Sequence, residues 1–244
     1  MKFSFNQHKN LIGIGIVCLF LFGACTSDKT APYQVDHIVL KWHQSYTDDS
    51  FQKSITGLNW ALSHVGAKYT IQSDEISYND ETITIYPSKH EFSSQGEDVL
   101  TTLHQRISAS LSYTENGHID IGHYVCLLIG ASEHYYQLTG VPETLSELES
   151  QYTLSPDSAY LTDSEISLQH RKIRFTDQND FNQLFVSLEV DSVTGELLEF
   201  ETLDLMENGQ ARFGVFDASG NRIVGAAPSL ATAGKPGKCM WCHE

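Results

Sequence analysis

Leu184-Phe185-Val186-Ser187-Leu188-Glu189-Val190-Asp191-Ser192-Val193-Thr194-Gly195-Glu196-Leu197-Leu198-Glu199-Phe200-Glu201-Thr202-Leu203 is the stretch that decides the fold. Leu184, Val186, Leu188 and Val190 alternate with bulkier or polar neighbours, the period-two pattern of a strand with one face inward. Residues 191–196 carry turn chemistry, and residues 197–203 return as a second strand. Downstream, Asn208-Gly209 is the strongest two-residue hairpin signal in the chain. Residues 212–216 and 221–224 then flank another turn at 217–220. Residues 165–225 therefore read as an antiparallel meander.

Upstream the period changes to that of helices. Phe51, Ile55, Leu58, Leu62 and Val65 recur at spacings of four and three, so residues 49–65 read as an amphipathic helix. Asp48 or Asp49 is the expected cap, and Gly66 the stop. Val99, Leu103, Ile107 and Leu111 predict a second helix over 97–113, with Glu97 and Asp98 at its positive end and Asn116-Gly117 after it. Residues 37–42 read as a strand, and 77–86 as a hairpin turning at Asn79-Asp80. Residues 119–131 are nearly all apolar, a buried strand or a short helix that periodicity does not separate. In that run Cys126 reads as a small core hydrophobe. A shorter helix over 143–151 starts at Pro142. Helices followed by strands predict an α+β fold, with amphipathic helices and short strands in the N-terminal half and the antiparallel β-meander in the C-terminal half.

The turn Val190-Asp191-Ser192-Val193-Thr194-Gly195-Glu196 faintly resembles that of PepSY-type modules, but one turn is too common to assign a family. The first 25 residues are more telling. Lys2 and Lys9 supply a positive start, residues 11–22 an apolar middle, and Gly23-Ala24 the small residues before Cys25. The apolar run falls short of the about 20 residues that a spanning helix needs. Leu21-Phe22-Gly23-Ala24-Cys25 resembles the lipobox of bacterial lipoproteins, with Phe22 where Leu is commonest. That resemblance implies removal of residues 1–24, acylation of Cys25 and attachment to a membrane through lipid. Thr26, where an Asp would favour inner-membrane retention, points to an extracytoplasmic, outer-membrane address. The alternative is an ordinary signal peptide that ends near a cysteine. Residues 25–34 then read as a tether, 35–225 as the globular domain and 226–244 as a linker with a terminal motif.

That motif is Cys239-Met240-Trp241-Cys242-His243, followed by Glu244 alone. Two thiols at this separation meet the two vinyl groups of a haem, and the histidine after them reaches the iron. The motif resembles that of c-type cytochromes, which implies haem c on Cys239 and Cys242 with His243 as the metal ligand. A disulfide between Cys239 and Cys242, or a partial zinc site, are the alternatives. In cytochromes of the four-helix type such a motif lies on a helix, whereas here it follows strands and a linker. With one residue after the histidine, it reads as a haem held at the domain surface or as the start of a haem domain. Met206 is the only mature methionine outside the motif that could bind the iron as a second ligand. His118, His123 and His134, with Asp120 and Glu133 nearby, could hold a metal, but their spacing matches no ligand motif. Tyr135-Tyr136 reads as packing rather than as a pocket wall.

Once Lys2 and Lys9 leave with the signal, 13 basic residues face 31 acidic ones, a formal charge of −18. Such a field opposes binding to nucleic acid and suits a cationic partner. No nucleophile elbow, zinc helix or phosphate loop occurs, and Ser132-Glu133-His134 are adjacent, the wrong arrangement for a triad. The chain thus reads as an electron carrier with a redox partner protein, rather than a hydrolase or transferase. The rival is a non-catalytic envelope lipoprotein that binds a protein or glycan, its terminal cysteines oxidised to each other.

Overall fold

The computed structural model describes residues 35–161, 170–177, 182–226 and 234–242. The expected export signal, Cys25 and the tether lie outside the described residues. From Val35 onward the chain is one compact unit, and it is α+β. Among the described residues no helix is long and apolar enough to cross a membrane.

In the N-terminal half, β1 (Ile38–Lys41) is the centre of a small mixed sheet. It pairs antiparallel with β3 (Thr82–Ile85) and parallel with β4 (Ile119–Asp120), while β2 (Ile76–Ser77) adds to the far side of β3. Ile38, Leu40, Ile83 and Ile85 turn inward from one face, as the alternation requires. The long helix α1 (Phe51–His64) buries Phe51, Ile55, Leu58, Ala61 and Leu62, the stripe read from the sequence. Its cap is Ser50, whose hydroxyl accepts from Lys53 N at 3.3 Å. The expected cap Asp49 instead accepts from Ser45 N, 3.0 Å away in the preceding loop. The short α2 (Pro87–His90) leads into α3.

The helix expected over 97–113 is two helices, α3 (Ser94–Ser108) and α4 (Leu111–Asn116). Ser110 separates them: its hydroxyl donates to Ile107 O at 2.6 Å and accepts from Tyr113 N at 3.3 Å. A serine that offers the backbone a local alternative ends one helix and starts the next. Leu111, the last residue of the expected stripe, is consequently 73% exposed. The apolar run resolves into β4 and α5 (Ile121–Ile129), capped by Asp120. Ile121, Tyr124 and Leu128 form the buried face of α5. Cys126 points outward and is exposed, contrary to its reading as a core residue, because the apolar run is wider than the stripe that the core accepts. Next come α6 (Ser132–Thr139) and α7 (Leu145–Glu149). The latter starts from a Thr144–Glu147 capping box rather than from Pro142.

The C-terminal half is the expected meander: β5 (Leu154–Leu161), β6 (His170–Thr176), β7 (Leu184–Val190), β8 (Leu197–Leu205) and β9 (Ala211–Asp217), each antiparallel to the next. Residues 221–224 make only isolated bridges, Thr144 with Asn221 and Phe216 with Arg222. At the β8–β9 turn Gly209 N donates to Met206 O at 2.9 Å, and Gly209 takes the positive φ (83°) that its lack of a Cβ allows. Asn208 does more than turn the chain. Its side-chain amide donates to Ser63 O (2.7 Å) and Ala67 O (2.9 Å), tying the meander to the end of α1. Replacing Asn208 by Ala removes both bonds at a part-buried seam and leaves Ser63 O with the Gly66 N–H. Urea unfolding is expected to report a loss of about 1–3 kcal/mol, where an isolated turn would lose far less.

Candidate functional site

Cys239 to Cys242 of the terminal motif lie on a helix, α8 (Pro236–Cys242). Pro236 opens it, where its missing N–H costs nothing. Lys238 N and Cys239 N both donate to Lys235 O, at 2.9 and 3.1 Å. Before it, Ala226 N donates to Gly234 O at 2.7 Å, and a Cβ on Gly225 would meet that same oxygen at 2.5 Å. Only glycine permits so close an approach, which brings the chain back toward the body of the domain.

The helix packs on α6 and β9. Met240 is its anchor, fully buried in the shared core, while Trp241 is 74% exposed. Cys239 is half-buried against the core and close to Tyr135 and Tyr136. Both tyrosines are buried and hydrogen-bonded: Tyr135 Oη accepts from Phe213 N (3.1 Å) and Tyr136 Oη donates to Ile223 O (2.9 Å). Burial pushes both phenols well above the ordinary tyrosine pKa, and the neighbouring Cys239 adds to that rise. Their packing role agrees with the sequence reading. At helical spacing, the backbone positions 239 and 242 lie about 60° apart around α8. The helix is described as far as Cys242; the side chain of Cys242 and all of His243 lie outside the described residues. Met206 lines a cavity of about 400 Å³ with Gly66, Lys68, Tyr152 and Arg212, a set without any residue of α8.

The spacing of His118, His123 and His134 matches no ligand motif, and the structure gives them separate settings. His134 is drawn below the usual histidine pKa by burial and by Arg106, and it lines a separate recess with Asp98 and Val99. His123 is exposed on α5. Among the described residues no group of three or more His, Cys, Asp or Glu side chains is placed to hold a metal ion. No family model, curated protein or solved structure matches the chain.

One ionisable cluster had no signature in the sequence. On the meander, Glu189 of β7 stands directly across from Glu199 of β8, and both are buried. Arg171 of β6 meets Glu189 (Nε–Oε1 2.5 Å) and Glu201 (2.8 Å), but Glu199 Oε1 has no hydrogen-bond partner. Burial, then Glu201 and Glu189, push the Glu199 pKa up to about 7, with Arg171 pulling the other way. The only sequence signal is the alternation itself, which puts Glu199, Glu201, Ser187 and Glu189 on one face.

A carboxyl whose folded pKa is raised favours the fold while protonated. That contribution is complete in acid and is lost as pH rises through about 7. Glu199→Gln is therefore expected to stabilise the protein at pH 8 by about 1–2 kcal/mol and to change little near pH 4, read from denaturant midpoints across the range.

Proposed function

We propose that this chain is a lipid-anchored, extracytoplasmic electron carrier, or the electron-carrying accessory of a redox complex, that holds haem c on Cys239 and Cys242 with His243 as iron ligand. The observation that carries this reading is the helical setting of the motif. Cys239 and Cys242 stand three positions apart on one helix, with a histidine next in sequence, a spacing that suits one planar ligand. Cys239 is half-buried against the core, so such a group would be held at the surface of the domain.

When bound, the haem supplies one-electron chemistry; the protein supplies orientation and charge. Met240 locks the rotation of α8 and so fixes which way its neighbours face. Exposed Trp241 gives the surface beside the motif an aromatic edge. The acidic balance of the mature chain would draw a cationic partner toward it and weaken that encounter as salt rises.

Expression of the full chain in cells that carry the haem-attachment machinery is expected to yield a covalent Soret-absorbing species whose mass exceeds the apoprotein by one haem. Cys239→Ala with Cys242→Ala is expected to abolish it. A colourless product with an intact mass two hydrogens below the reduced chain would instead identify a Cys239–Cys242 disulfide and the binding-lipoprotein reading.

A further inference from the structure

We infer that the recess between α3 and α6 is a binding site for a short free peptide of two or three residues, with Arg106 holding its C-terminal carboxylate and Asp98 its N-terminal ammonium. The site is independent of the terminal motif. The recess has a volume of about 260 Å³ and takes Asp98, Val99, Leu103 and Arg106 from α3, and His134 and Gln137 from α6.

The starting observation is an unpaired guanidinium. Arg171, Arg174, Arg212 and Arg222 each pair with a carboxylate. Arg106 has no such partner among the described residues, in a chain where 31 acids face 15 bases. A guanidinium fork is shaped to donate two parallel N–H bonds to one carboxylate. In the same recess His134 Nε2 is buried and has no hydrogen-bond partner. A buried polar atom left without a partner is costly, so it marks a place where a ligand atom is favoured. Burial, then the nearby Arg106, draw the His134 pKa down, which favours the neutral ring. With its proton on Nε2, that ring adds an uncharged donor to the carboxylate that Arg106 holds.

The other end of the recess has the opposite sign. Asp98 is exposed and makes no ion pair among the described residues. A plain carboxylate ligand would meet it as a like charge, whereas a zwitterion satisfies both ends. Asp98 precedes Arg106 by eight positions, about 12 Å along the helix axis. A long helical side chain leans toward the N-terminus, so Arg106 shortens that gap. One peptide residue spans at most about 3.3–3.6 Å, so a single amino acid reaches one end and two or three residues reach both. Between the ends, half-buried Val99 and buried Leu103 give an apolar floor for the side chains of the peptide. The Gln137 amide, exposed and without a partner among the described residues, offers a donor and an acceptor to a peptide bond.

The test is isothermal titration calorimetry of the full chain with Ala-Leu-Ala, its C-terminal amide and its N-acetyl form. The free tripeptide is expected to bind at one site per chain, and each blocked form about tenfold more weakly or worse. Free alanine should also bind at least about tenfold more weakly than the tripeptide. Arg106→Gln should weaken the tripeptide by a similar factor and erase the preference for acid over amide. Asp98→Asn should erase the preference for the free over the acetylated amine. A merely structural role of these two exposed residues would leave both preferences intact. The inference is overturned if Ala-Leu-Ala does not bind, if its amide binds as tightly as the acid, or if Arg106→Gln binds it unchanged. An acetylated peptide that binds as tightly as the free one would overturn it equally, and would identify a plain carboxylate site.

Discussion

Tyr135 and Tyr136 hold the two halves of this protein together. Consecutive residues of α6, both buried, they reach different segments of the C-terminal half: one phenol takes the Phe213 N–H, the other gives to Ile223 O. Adjacent helical residues point about 100° apart, so a single turn braces β9 and the chain beyond it. The same seam is closed by Arg212, which pairs with Asp204 and donates to Thr139 O and Gly140 O at the end of α6. Tyr152 Oη adds a bond to Asp204 Oδ2 at 2.8 Å. The position of α8 follows from this brace, because the terminal helix rests on α6 and β9.

Buried charge is the second constraint. The meander holds three carboxylates around one guanidinium, and an uncompensated buried carboxylate is expensive. The fold relieves that cost by keeping the Glu199 proton to near-neutral pH. In the helical half, His104 shows the opposite shift. Burial and His37 hold its pKa down at about 4, and its Nε2 meets Tyr124 Oη at 2.9 Å. The histidine therefore stays neutral in the core where an exposed one would take up a proton. The two groups bound the pH range of the fold from opposite sides, His104 as pH falls and Glu199 as it rises.

The terminal motif combines an anchored residue with accessible ones. Met240 is buried in the core while its neighbour Trp241 is solvated, so α8 turns one side to the domain and the other to solvent.

Much of the architecture was legible in local pattern. The stripe of α1, the alternation of β7 and β8 and the Asn208-Gly209 turn follow from the periods of 3.6 and 2 and from backbone stereochemistry, which act over a few residues. The Cys239-x-x-Cys242-His243 spacing is a property of the sequence alone. The break at Ser110, the exposure of Cys126, the docking of α8 through Met240 and the Glu189–Glu199 opposition were not. Each depends on which of several similar faces finds a partner, or on a register between strands far apart in the chain. Lys41 lies beside Asp120 only because β1 and β4 pair in parallel, a contact that no local period encodes. The sequence alone determined the elements and the motif, because those obey short-range rules. The tertiary structure alone decided which faces are covered and which distant side chains become neighbours, because burial is a property of the assembled chain.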